Sequence, residues 1–296
     1  MTQIDPTAPS LVATDIPIVS SVAALGRERR AWLVDIWGVM HNGVTPFASA
    51  VEACQTFRRQ GGRVLLLSNS PRTGAGVIAQ LKQVGVADDA YDDAVTSGDA
   101  TRVLISTVSD KPIFHLGPKR DLPIFDGLDV RFSSEDDGET IVCTGLFDDT
   151  SETPDDYNAM LQGFAQRGVT MVCANPDITV ERGGQIIFCA GALAERFETF
   201  GGVVKLAGKP HSPIYEMAFD RLEMLLGQPV PREDVLAIGD GAKTDIEGAF
   251  GAGLDAVYVA SAVGLGLGGG LDRAALVGLF PDPESRPIAA MTELAW

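Results

Sequence analysis

The stretch Leu33-Val34-Asp35-Ile36-Trp37-Gly38-Val39-Met40-His41-Asn42-Gly43 reads as a buried strand that runs into a carboxylate. The run Ala31–Val34 has no polar alternate, the pattern of a parallel strand covered on both faces. It stops at Asp35, and a loop with two glycines follows. One aspartate after a strand is ordinarily a helix cap. Two further apolar runs end in the same manner: Arg63–Leu67 at Ser68-Asn69, and Val235–Ile238 at Gly239-Asp240. Ligands of parallel α/β sheets bind at the carboxyl ends of the strands, where helix N-termini point their donors. Two acids, a hydroxyl and an amide are therefore expected at one sheet edge.

The rest of the chain supports that sheet. Pro112–Leu116, Thr140–Thr144, Val169–Cys173, Gln185–Phe188, Val203–Leu206 and Ala256–Val259 are short runs rich in Val, Ile and Leu. Helical spacing fills the gaps between strands. Gly74–Gln83 places Val77, Ile78 and Leu81 on one face. Pro213–Leu226 does so with Ile214, Met217, Ala218, Leu222 and Leu225, and Ser212 is expected to be its N-cap. Strand–helix alternation means βαβ units and an α/β fold.

The 296 residues are 45% hydrophobic and 21% charged, an ordinary globular composition. A formal charge of −17 argues against a nucleic-acid groove or an anionic membrane surface as partner, because phosphate backbones need lysine and arginine. No apolar stretch approaches the roughly 20 residues that span a bilayer. The N-terminus lacks the basic start and apolar block of a secretory signal, and residues 1–15 read as a polar tail. Four widely spaced cysteines, Cys54, Cys143, Cys173 and Cys189, read as small core residues in a reduced, cytoplasmic setting. Gly264–Gly270 reads as a connector rather than a dinucleotide loop, because no clear helix with a downstream acid follows it.

Lys209 stands just before the helix that opens at Ser212-Pro213. Asp240 and Asp245 share the tight loop Gly239-Asp240-Gly241-Ala242-Lys243-Thr244-Asp245. Two carboxylates on one loop suit a hard cation such as magnesium, which takes oxygen ligands and accepts a substrate phosphate among them.

Taken in order, Asp35, Ser68, Lys209 and the GDGAKTD segment resemble the four motifs of the haloacid dehalogenase (HAD) superfamily. The DxxGV..NG start, the Ser68-Asn69-Ser70 triplet and the GKPHSPIY segment resemble its class IIA branch, which holds pyridoxal phosphate phosphatase, phosphoglycolate phosphatase and 4-nitrophenylphosphatase-like proteins. The resemblance covers roughly residues 28–262. It implies a Rossmann-like core over residues 16–109 and 204–296, with an inserted α/β cap of C2 type over 110–203. It also implies a Mg2+-dependent phosphatase of small phosphorylated metabolites, paired, by analogy alone, as a homodimer through the cap. Carried over residue by residue, Asp35 is the nucleophile that forms an aspartyl-phosphate. Ser68 bonds a phosphoryl oxygen, with Asn69 beside it, and Lys209 bridges nucleophile and phosphoryl group. Asp35, Asp240 and the backbone carbonyl of residue 37 ligate Mg2+, and Asp245 holds the metal's shell.

One departure stands out. The branch's phosphatases usually carry a second aspartate two residues after the nucleophile, which protonates the leaving oxygen. Trp37 occupies that place here, and an indole transfers no proton at neutral pH. The missing help is worth about 10²–10⁴-fold. His41 has a suitable intrinsic pKa, although a solvent-facing flap residue is the expected reading. Asn175 and Asp177 lie in Asn175-Pro176-Asp177, which resembles the loop that closes over substrate in this branch's caps, and Asp177 is a conceivable substitute acid. A proline turn with Asx bonding explains the same residues without function. Two rival readings stay open: an impaired scaffold that binds a phospholigand, and a dehalogenase-like hydrolase, since some dehalogenases carry an aromatic at the place of Trp37. The acid-bearing loop Asp240–Asp245 argues against the second.

Overall fold

A computed structural model describes residues 16–260 and 270–296. The tail 1–15 and nearly all of the glycine run 264–270 lie outside the described residues. Strands are numbered along the chain. β1 (Ala31–Val34), β2 (Arg63–Ser68), β3 (Asp93–Thr96), β11 (Val235–Gly239), β12 (Asp255–Val259) and β13 (Ala289–Met291) form one sheet in the order β13-β12-β11-β1-β2-β3. Every pairing in it is parallel. The four side chains of β1 are all buried, as an uninterrupted apolar run requires. Helices Ala48–Arg59 and Gly74–Val84 cover one face with Cys54, Phe57, Val77 and Leu81. Helix Ser212–Leu226 covers the other with Ile214, Tyr215, Ala218 and Leu222.

Between β3 and β11 the chain builds a second sheet. β4 (Pro112–Leu116), β5 (Arg131–Phe132), β6 (Thr140–Cys143), β7 (Thr170–Cys173) and β10 (Val203–Leu206) pair in the order β10-β7-β6-β4-β5, again all parallel. Helices Asn158–Gln166 and Ala190–Thr199 pack Leu161, Phe164, Leu193 and Phe197 on one of its faces. β8 (Thr179–Arg182) and β9 (Gln185–Phe188) form a separate antiparallel hairpin. Helix Ser97–Ser106 joins the two halves, with Ala100 in the apolar cluster of the first sheet and Ile105 in that of the second.

The α/β class and the Rossmann-like arrangement agree with the expectation. β10 straddles residues 203/204, the expected junction, and belongs wholly to the second sheet. Helix Ser212–Leu226 begins one residue earlier than expected. Its N-cap is His211, in extended conformation and with no capping side-chain bond, so Ser212 is the first helical residue and does not cap. All four cysteines are buried free thiols, as read from their spacing. No helix among the described residues is long and apolar enough to cross a membrane.

Candidate active site

Strand order places the site. The chain moves outward from β1 through β2 to β3, then returns to β11 on the other side of β1 and moves outward again. The crevice at such a reversal, at the carboxyl ends of the strands, is where α/β sheets hold ligands. Asp35 follows β1, Ser68 closes β2, and Asp240 follows β11.

Lys209, 2% exposed, reaches into this crevice from the loop after β10. Its Nζ donates to Asp35 Oδ1 at 2.5 Å, to Asp245 Oδ1 at 2.6 Å and to the Leu67 carbonyl at 3.0 Å. Asp35, Asp240 and Asp245 each offer a carboxylate oxygen, and the three oxygens lie within 4.8 Å of one another. Gly239 permits this approach, since a Cβ there would stand 2.2 Å from Asp245 Cγ. The Gly241 N–H donates to Asp245 Oδ2 at 3.0 Å and fixes the second oxygen.

Three carboxylates cluster there beside the Lys209 ammonium, and that donor set fits a hard divalent cation that takes oxygen ligands. Burial pushes the Asp35 pKa well above the ordinary carboxylate range. Lys209 opposes the shift, and Asp245 and Asp240 reinforce it. Burial alone would lower the Lys209 pKa, but the facing Asp245 and Asp35 outweigh it and hold the ammonium well above its ordinary value.

Ser68 is 1% exposed, and its Oγ accepts the Ser70 N–H at 3.1 Å, which leaves the hydroxyl proton to donate. Asn69 is a strut. Its Oδ1 accepts the Lys209 N–H at 2.8 Å, while Nδ2 donates to the Lys209 carbonyl at 3.2 Å and to Asp177 Oδ1 at 2.8 Å. The Asn69 side chain is thus committed to protein partners. The Asp177 N–H donates to Asn175 Oδ1 at 3.0 Å, so the expected Asx turn is present and also carries Asp177 to the site.

A cleft of about 590 Å3 opens over these groups and is lined by Asp35, Ser68, Lys209, Asp240 and Asp245 below and by Asp177, Val180 and Glu181 above. A smaller cavity of about 90 Å3, bordered by Arg72, Arg120 and Arg182, shares Trp37, Asp177 and Val180 with it. Arg182 turns away from the crevice to Asp149, donating from both terminal nitrogens at 3.3 and 2.9 Å.

Trp37 lies between the two cavities, its ring against Gly43, where a Cβ would stand 2.5 Å from the indole. His41 corrects its expectation. It is no solvent-facing flap but 1% exposed, edge-on to Trp37 with ring centroids 4.9 Å apart, and its Nδ1 accepts the Gly43 N–H at 2.8 Å. Burial lowers its pKa to about 4. The ring is neutral at neutral pH, and nothing places it on the cleft. The cleft also reaches His211 and Lys243, which sequence reasoning passed over. Both stand inside motif segments already singled out, and that was the available signal.

Comparison with known proteins follows the same lines. Residues 32–131 match a family described as haloacid dehalogenase-like hydrolase, and residues 206–265 match HAD-hydrolase-like sequences. A hydrolase of the haloacid dehalogenase-like family from Brucella suis 1330 is 44% identical, with 94% of this chain and all of that chain covered and a TM-score of 0.85. The 5'-nucleotidase YutF of Bacillus subtilis is 24% identical over 236 residues, 79% of this chain and 88% of its own. A glycerol phosphate phosphatase of Mycobacterium tuberculosis, solved in complex with magnesium, is 23% identical over 92% of this chain and 77% of its own, at a TM-score of 0.66.

Proposed function

Since the chain belongs to the haloacid dehalogenase-like hydrolase family, we propose that it hydrolyses small phosphate monoesters through a covalent phosphoryl-aspartate on Asp35. The observation that carries this reading is the Lys209 ammonium held between Asp35 and Asp245, with Asp240 beside them, at the floor of the cleft. Two relatives support the ester class, being named for nucleotide and glycerol phosphate substrates. The cleft volume is that of a small-molecule site. The second sheet, from β4 to β10, with its helices acts as the cap that closes over the ester and keeps phosphoproteins out.

Asp35 attacks phosphorus with one carboxylate oxygen, which splits hydrolysis into two easier steps. Lys209 steers that oxygen and donates to the phosphoryl group as charge grows on its oxygens. The Ser68 hydroxyl donates to a second phosphoryl oxygen. Asp35, Asp240 and the main-chain carbonyl of Trp37 would hold Mg2+, with Asp245 orienting its surroundings. When bound, the ion offsets the repulsion between a carboxylate and a phosphate dianion. Trp37 contributes backbone and cavity shape, not a proton.

The test is phosphate release from a panel of small esters that includes 4-nitrophenyl phosphate. Release is expected to need Mg2+, to stop with a chelator, and to fall at least about 10³-fold in Asp35→Asn. Release indifferent to both treatments contradicts the reading. A second reading, binding without turnover, is favoured by the indole at position 37. It requires saturable Mg2+-dependent binding of esters by calorimetry with no release.

A further inference from the structure

We propose that Asp177, reaching down from the second sheet, is the proton-transfer residue of the site and does the work that Trp37 cannot. This rests on the phosphatase reading above.

Four observations converge on it. Asp177 and Trp37 border the same two cavities, so Asp177 lies beside the space next to the residue that displaced the usual acid. The carboxyl is held at one oxygen, and the loop behind it is held separately. Its Oδ1 accepts from Asn69 Nδ2 at 2.8 Å, and Asn69 in turn grips the main chain of Lys209. The loop behind it is pinned by the Asx turn to Asn175 and by the Gly191 N–H, which donates to the Asp177 carbonyl at 3.1 Å. The other carboxyl oxygen makes no hydrogen bond among the described residues and is left for a proton. Burial pushes the Asp177 pKa up. Lys209 and the Asn69 bond oppose that shift, and Asp245 reinforces it. The other acid–base candidates fit less well. His41 is buried, neutral and turned to Gly43. His211 borders the cleft but is exposed, and no partner among the described residues fixes its ring.

The chemistry balances. An Asp35 oxygen bonds to phosphorus as the bond from phosphorus to the ester oxygen breaks, and that oxygen takes the Asp177 proton and departs as an alcohol. The Asp177 carboxylate then takes a proton from water, whose oxygen attacks phosphorus. The bond from phosphorus to Asp35 breaks, phosphate leaves, and both aspartates regain their starting states.

The experiment compares two esters on Asp177→Asn, with Asp177→Glu and His211→Gln alongside. Nitrophenolate leaves 4-nitrophenyl phosphate without a proton, whereas an alkyl phosphate such as glycerol phosphate needs one. In Asp177→Asn, kcat/KM, which reports the steps through departure of the leaving group, is expected to fall by about 10²–10⁴-fold on the alkyl ester and far less on 4-nitrophenyl phosphate. Circular dichroism shows that the variant is folded. Asp177→Glu recovers part of the loss. Equal losses of kcat/KM on both esters assign Asp177 a structural role and overturn the proposal, as does loss of alkyl turnover in His211→Gln but not in Asp177→Asn. Wild-type protein inert on both esters removes the phosphatase reading itself, and the proposal with it.

Discussion

His41 shows what one residue's surroundings do to its chemistry. Its ring is sealed beneath Trp37, and burial holds its pKa near 4 in the fold, against about 6.5 unfolded. As pH falls the unfolded chain binds that proton first. The stability present above pH 6.5 is therefore lost progressively and is fully gone below about pH 4. At pH 5 the loss is about 2 kcal/mol. Urea midpoints at pH 7 and pH 5 check this. Asn at position 41 keeps an acceptor for the Gly43 N–H without titrating, so His41→Asn should lose about 2 kcal/mol less than wild type over that interval. Equal losses would contradict a buried, neutral His41. Little of this was legible, because a lone histidine between Met40 and Asn42 has no periodic pattern to betray its burial. Asp35, Lys209 and Asp240 were legible because a charge that follows an apolar strand or precedes a helix in an α/β chain has few structural reasons to be there.

Among the elements, the turn Asn175–Asp177 depends on the helix that follows it. Gly191 lies in the first turn of Ala190–Thr199, so close to the loop that a Cβ would stand 2.3 Å from the Pro176 carbonyl oxygen and 2.5 Å from that of Asp177. Helix propensity alone favours alanine there by about 1 kcal/mol. The contact is backbone on both sides, however, so Gly191→Ala should push the loop away and carry Asp177 with it. We expect a lower melting temperature and at least a tenfold loss of alkyl-ester turnover, measured by circular dichroism and phosphate release. A stabilised, fully active variant would show that the loop does not depend on this contact. The strands that escaped the sequence reading escaped it for composition. β3 opens on an aspartate, β5 has two residues, and β13 is Ala-Ala-Met without a β-branched side chain. β8 escaped as well, although the Gly183-Gly184 turn before β9 was a signal for it.

For the whole molecule, function rests on convergence. Residues 35, 68, 209 and 240 come from four remote segments, and only a sheet that reverses its winding at β1 brings their side chains to one crevice. Their order along the chain was enough to foresee the meeting. The junction near residue 204 was not legible, because Val203–Leu206 is equally good as a strand of either sheet and only pairing with β7 decides. The central claim is that Asp35 bonds to phosphorus. It is tested most directly by mixing enzyme, Mg2+ and excess 4-nitrophenyl phosphate, quenching in acid within a turnover, and treating with hydroxylamine, which converts an acyl phosphate to a hydroxamate that peptide mass spectrometry can locate. The hydroxamate is expected on Asp35, at an occupancy that rises when intermediate breakdown is slowed by Asp177→Asn. A hydroxamate on another residue, or full turnover by Asp35→Asn, would contradict it.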